Sequence, residues 1–229
     1  MPEFHFVQDY EKLIKRLLGE MPFDEAMAAA VGGDFERVGR IEAAVVRHLG
    51  LRDGMSLIDL GCGSGRLAWA LGQMMRIDFL GIDIVQPLLD YAKTRTPRTY
   101  RFVLHRALDI PAPDASADMV SAFSVFTHLL HHETYLYLQD IRRVLRPRGR
   151  LVFSFLEFAD PAHWQQFAGT VEAQRSNMLP HLNQFIERPT IDLWASKLGF
   201  ERERFIDGSA APWEEAPSLH QSIAVLRRP

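Results

Sequence analysis

Between residues 57 and 71 the chain reads LIDLGCGSGRLAWAL: an apolar run, then Gly61, Gly63 and Gly65 in alternate positions, then apolar residues at helical spacing. Glycine is the residue most costly to order. A loop this rich in it belongs where the backbone turns tightly or where another group comes very close. A buried strand that runs through such a loop into a helix is the opening unit of a parallel sheet covered by helices.

The rest of the chain fits that layering. DFLGIDI, YRFVLH, ADMVSAFS and GRLVFSFLE read as further strands, apolar nearly throughout, as expected when both faces of a sheet are covered. Helical patterns separate them: residues 64–75, QPLLDYAKTR and HETYLYLQDIRRVL. Upstream, FVQDYEKLIKRLL, FDEAMAAAV and FERVGRIEAAVVRHLG read as helices, the last closed by Gly50. Downstream, RPTIDLWASKLGF reads as a helix capped by Gly199, and RERFIDG and QSIAVLRR as two final strands. Residues 157–188 form a long aromatic, His-containing insertion, expected to be a helical lid. The expectation is one domain over residues 1–229, with a helical N-terminal cap at 1–49 and a lid at 157–188.

Composition narrows the function classes. A net charge of −3 argues against a broad nucleic-acid surface, and the basic stretches VLRPRGR and LRRP are short enough to be a solvated loop and tail. No window approaches the ~18 consecutive apolar residues of a membrane span, and the first residues lack the pattern of a secretory signal. A single cysteine forbids an internal disulfide. A cytoplasmic protein, monomeric or homodimeric, without membrane or nucleic-acid partners, is expected.

In a doubly wound sheet, ligands bind beyond the C-terminal ends of the strands, where the glycine loop lies. Two ligand classes suit it. A nicotinamide dinucleotide asks for G-x-G-x-x-G, but the third glycine position is held by Arg66, and Asp59 at the strand end would repel a pyrophosphate. The same carboxylate is well placed beside an ammonium, and S-adenosylmethionine carries an ammonium and a sulfonium but no phosphate. Asp83 lies 20 residues after Gly63, a spacing that lets a carboxylate accept both ribose hydroxyls. Cys62 reads as a small filler in the loop rather than a nucleophile.

On these residues the chain resembles the class I S-adenosylmethionine-dependent methyltransferases, whose first motif, acid-x-G-x-G-x-G, is similar to LIDLGCGSGRLA. The resemblance covers residues 40–156 and, more loosely, LWASKLGF to the end. It implies an α/β fold, a doubly wound, mostly parallel seven-stranded sheet of Rossmann-like methyltransferase type, in the order 3-2-1-4-5-7-6 with the last strand antiparallel. It implies S-adenosylmethionine as cofactor, S-adenosylhomocysteine as product, and methyl transfer to an oxygen or nitrogen of a small-molecule acceptor.

The resemblance also implies the site. Asp59, Gly61, Cys62, Gly63 and Gly65 would hold the methionine end, Asp83 the ribose, and Ile84 the adenine side. Aligned on IP, the family's adenine-binding aspartate falls on Arg106, with Ala107 and Leu108 as the following contacts; Asp109 is an alternative partner for the adenine. That departure keeps a non-catalytic, cofactor-binding or regulatory protein as the alternative, ahead of a NAD-dependent oxidoreductase. Ser124 and Val125 would face the methionine end, and Phe126 and His128 the transferred methyl, with His128 the candidate general base. Tyr10, Phe126, His128, Trp164 and His181 are the candidate acceptor contacts. His128 and His132 stand four apart, a metal-like spacing, but Glu133 is the one further candidate ligand close in sequence and no metal is expected.

Overall fold

The computed structural model describes residues 5–178, 182–214 and 216–229, with side chains from Tyr10 onward. The elements run α1 (His5–Glu20), α2 (Phe23–Ala29), α3 (Phe35–His48), β1 (Ser56–Leu60), α4 (Arg66–Gly72), β2 (Asp78–Asp83), α5 (Gln86–Arg95), β3 (Arg101–Leu104), β4 (Ala117–Ala122), a 3-10 turn at Phe126–His128, α6 (His131–Val144), β5 (Leu145–Phe155), α7 (Pro161–Arg175), α8 (Arg188–Leu198), β6 (Glu201–Ile206) and β7 (Ser222–Arg227). The strands form one sheet in the order β3-β2-β1-β4-β5-β7-β6. Only β7 runs against its neighbours β5 and β6. Among the described residues no helix is long and apolar enough to cross a membrane.

Strand alternation divides the core. Ile58 and Leu60 of β1 share one face with Ile82, Val120, Leu151 and Phe153, packed under Leu138 and Ile141 of α6 and Ile191 of α8. Leu57 faces the other side with Phe79, Met119, Val152 and Val225, under Val45 of α3 and Leu67 and Leu71 of α4. Asp59 and Asp83 share their strand faces with Leu57 and Phe79, so the two carboxylates end on one side of the sheet. A third, smaller core joins the N-terminal helices to α5: Ile14, Leu17, Ala26, Met27 and Phe35 pack on Val85, Leu88 and Tyr91.

The insertion is helical as expected, and two other local expectations change. The insertion contains a helix, α7, begun by Asp160, whose Oδ1 accepts from the backbone N–H groups of Ala162 (2.8 Å) and His163 (3.3 Å), with Pro161 at the first helical position. The basic VLRPRGR is solvated at residues 146–148, as expected, but lies within β5 rather than in a separate loop: Leu145 already pairs with Ala117, and after a register shift Arg150 pairs with Met119. The terminal arginines are not a free tail either. Arg227 belongs to β7, and Arg228 Nη1 donates to the carbonyls of Arg142 (3.1 Å) and Arg143 (3.2 Å) at the end of α6. The last carbonyls of a helix need outside donors, and this guanidinium supplies them.

The insertion is anchored at its base by a buried ion pair. Glu157 accepts from Arg188 Nε (2.9 Å) and Nη2 (2.8 Å) and from the Ser222 hydroxyl. Glu157→Leu should therefore cost about 1–3 kcal/mol of stability, because the buried Ser222 hydroxyl would lose its acceptor and the half-buried Arg188 would keep only Asp207 (2.6 Å). Chemical denaturation measures this; a loss under ~1 kcal/mol would place the pair among solvent-screened surface bridges.

Candidate active site

The C-terminal ends of β1, β2 and β4 open into a cavity of about 1110 Å³, roofed by α1 and by residues of the insertion. Gly61, Cys62 and Gly63 form part of its floor. All three loop glycines have positive φ: 67° at Gly61, 54° at Gly63 and 84° at Gly65. A Cβ at Gly61 would lie 2.4 Å from Val125 Cγ2, and one at Gly63 2.6 Å from Val31 Cγ1. The loop thus needs glycine for its own backbone and packing, besides presenting its backbone to the cavity. Cys62 fills the space left by Gly81, where a Cβ would lie 2.8 Å from its Sγ, and burial pushes its thiol well above the ordinary range. That is a packed side chain, not an activated nucleophile.

The cavity's deep end is acidic. Asp83 Oδ2 accepts from Gly63 N–H (2.8 Å) and Oδ1 from Val85 N–H (3.0 Å). The carboxylate therefore braces the glycine loop while lining the cavity. Burial raises its pKa, and the bonds from Gly63, Val85 and Ile84 oppose that. Asp59, 4% exposed, accepts from the Ser121 hydroxyl at 2.7 Å. Its pKa is pushed up to about 8, chiefly by burial and then by the neighbouring Glu42 carboxylate, with Ser121 and Arg66 pulling the other way. Glu42, from α3, is buried and holds Arg66 through Nε (2.8 Å) and Nη2 (2.7 Å). Arg66 thus faces this acidic end rather than the helix–strand contact.

Ser124 sits in the left-handed region (φ 55°), held by a 2.7 Å bond from its N–H to Ser154 Oγ and by its hydroxyl on Gln221 Oε1 (3.2 Å). Such a conformation in a non-glycine residue is sustained only where surrounding contacts demand it. His128 Nδ1 lies 2.8 Å from the Leu182 carbonyl. A carbonyl only accepts, so Nδ1 carries a proton. The Tyr10 ring meets the imidazole edge-on at 6.2 Å, and burial near Asp83 pushes the Tyr10 hydroxyl up to about 12. Gln184 N–H to Thr127 O (2.7 Å) and His131 Nε2 to Phe185 O (3.0 Å) stitch the end of the insertion to the same loop.

Of the residues expected at a cofactor site, Asp59, Gly61, Cys62, Gly63, Asp83, Ile84, Ser124 and Val125 line this cavity, as do Tyr10 and His128. Others do not. Gly65 starts α4 in left-handed geometry, where a Cβ would strike Ala92 (2.7 Å), so it serves helix packing. Ala107 turns its carbonyl to the Tyr137 hydroxyl (3.0 Å), and Leu108 packs against the core. Phe126 is wholly buried against Phe153, with ring centroids 5.1 Å apart. Trp164 is 51% exposed and packs on Phe158 and Phe167, because α7 turns Gln166 rather than the indole to the cavity. His181 lies outside the described residues. Arg106 is held by the Ile84 carbonyl (3.0 Å) and by Glu11 of α1, and Asp109 by His105. His128 and His132 do not share a helix, since His128 ends the 3-10 turn and His132 belongs to α6.

Sequence reasoning missed Lys12, Arg16, Glu42, Gln166 and Gln221, which also line the cavity. Only Glu42 left a trace, as an acid on the apolar face of α3 where Ala43, Val45 and Val46 are buried.

Residues 58–153 match the methyltransferase domain family. The chain is 31% identical over 133 residues to a 27-O-demethylrifamycin SV methyltransferase of Amycolatopsis mediterranei, covering 56% of this chain and 48% of that protein. It is 28% identical over 185 residues to a malonyl-[acyl-carrier protein] O-methyltransferase of Methylococcus capsulatus, covering 77% and 64%. The chain spans about half the length of curated relatives such as the first of these. Among solved structures, its fold is similar to magnesium protoporphyrin IX methyltransferase of Synechocystis with bound S-adenosylhomocysteine: TM-score 0.65, 20% identity, 98% of this chain and 96% of that one.

Proposed function

We propose that this chain is a class I S-adenosylmethionine-dependent methyltransferase and that it transfers a methyl group to an oxygen or nitrogen of a small molecule bound in the cavity; the methyltransferase-domain match and the methyltransferase relatives and fold support this reading. The names of the relatives, a 27-O-demethylrifamycin SV methyltransferase and a malonyl-[acyl-carrier protein] O-methyltransferase, favour oxygen. The observation that carries the reading is the buried acidic end. A carboxyl pushed up to about 8 beside a second buried acid asks for a cationic ligand, and Asp83 beside the glycine loop offers acceptor atoms suited to a ribose diol. S-adenosylmethionine fits both demands, and when bound it supplies an electrophilic methyl on a sulfonium.

The chain's own residues then divide the work. Asp83 would hold the ribose and the backbone of Gly61 and Gly63 would flank the methionine end, with Ile84 beside the adenine. Asp59, Ser124 and Val125 would surround the amino-acid end. His128 would take the acceptor's proton on Nε2, because Leu182 occupies its Nδ1 proton. The cap at 1–49 and the insertion at 157–188 would shut out water through Tyr10, Gln166 and Asn183.

Calorimetric titration with S-adenosylmethionine, S-adenosylhomocysteine and NAD tests the cofactor. The first two should bind and the third should not; tight NAD binding would overturn the reading. With an acceptor found by mass-shift screening, His128→Ala should lower kcat by about 10²–10⁴-fold and flatten the acid limb of the pH profile. An unchanged profile would leave His128 a structural residue of the loop.

A further inference from the structure

Charge is segregated along the cavity. Glu42, Asp59 and Asp83 stand at the end built by α3, β1 and β2, and the cation among them, Arg66, is held by Glu42. The other cations on the wall, Lys12 and Arg16, both come from α1. They stand four residues apart on one face of that helix, exposed at the cavity's edge. No ion pair or hydrogen bond is found for either among the described residues. Like charges at this spacing disfavour a helix, and the nearby Glu11 is engaged by Arg106 instead. A volume of about 1110 Å³ also exceeds what one nucleoside-sized ligand fills.

Resting on the methyl-transfer reading of this cavity, we infer that the acceptor is an anion, a carboxylate or phosphate ester, whose charged group seats against Lys12 and Arg16. At a rise of about 1.5 Å per residue, these lie ~3 Å and ~9 Å along α1 from Tyr10. The Tyr10 ring in turn meets His128 at 6.2 Å. The charged group therefore sits about one ring or a short chain from the His128 end, and a separate nucleophile on the same molecule reaches that end. Among the described residues the deep end offers the anion no unengaged cation, since Arg66 is held by Glu42, so the acceptor enters with its charged group toward α1.

The test uses wild-type protein and Lys12→Gln/Arg16→Gln, both exposed positions, with unchanged thermal melting as the control for folding. Ligand-observed NMR on the protein saturated with S-adenosylhomocysteine compares benzoate with benzamide and phenyl phosphate with phenol. Wild type should bind the anions at least 10-fold more tightly than their neutral counterparts, and the double variant should lose that preference. The benzoate and phosphate arms separate the two anion types. Equal or absent binding of both members of each pair, or a preference that survives in the variant, overturns the proposal. The cofactor's own carboxylate is the other source of the same chemistry. If the variant weakens S-adenosylhomocysteine 10-fold but leaves methylthioadenosine unchanged, that carboxylate occupies the rim and the acceptor proposal fails. Failure of wild type to bind S-adenosylhomocysteine at all would instead count against the methyl-transfer reading.

Discussion

Asp83→Asn is expected to weaken S-adenosylhomocysteine binding by about 10²–10⁴-fold while leaving a folded protein. Asp83 serves two structures at once. Its oxygens accept from Gly63 and Val85 N–H, and it is exposed to the cavity where the ribose would lie. Hydrogen bonds to a charged group contribute about 1.5–3 kcal/mol each, so two lost ribose contacts amount to about 3–6 kcal/mol. Asparagine keeps the volume but turns an amide N–H₂ toward either Gly63 N–H or Val85 N–H, which displaces the side chain, loosens the loop and removes the charge from both ribose contacts. Asp83→Ala should do the same with a larger drop in thermal stability, because two buried N–H groups lose their acceptors. Calorimetry on both variants decides the matter: affinity within threefold of wild type in a folded Asp83→Asn would remove Asp83 from the ligand site.

The second large effect is a coupling of Asp59 to pH. Its folded pKa, about 8, lies above the ordinary aspartate value of 3.8. Between these values the folded chain holds a proton that the unfolded chain has released. Stability therefore falls as pH rises through about 4 to 8, by up to ~1.4 kcal/mol per unit, and levels off above. Glu42 and Asp83 are also raised by burial and add the same sign. A cation bound beside Asp59 reverses the balance, since it favours the carboxylate and expels the proton. S-adenosylmethionine binding at pH 7 should therefore release up to one proton, and affinity should rise up to ~10-fold per pH unit until about pH 8. Titration heats in buffers of different ionisation enthalpy read the proton directly. Asp59→Asn should abolish most of the buffer dependence; heats identical in all buffers for the wild type would sink the assignment.

The strands, the glycine loop and the two cavity carboxylates Asp59 and Asp83 were legible because each is written in local pattern. A run buried on both faces is apolar throughout, a backbone at positive φ calls for glycine, and Asp59 and Asp83 stand at strand ends whose position follows from the runs themselves. The topology was carried by the family resemblance, since strand order is not a property of any one segment. Trp164 and Phe126 misled because an aromatic residue near a site reads the same in sequence whether it points inward, outward or into the core.

By itself, then, the sequence determined the layered α/β architecture, the position of the loop and the acids flanking it. The tertiary structure alone decided which groups enclose the cavity. His128 meets Leu182 across 54 positions, Arg66 meets Glu42 across 24, and α1 brings Tyr10, Lys12 and Arg16 over an opening made by strands far along the chain. Periodicity tells which face of an element is buried, but not which distant element buries it, because that depends on how whole faces pack together.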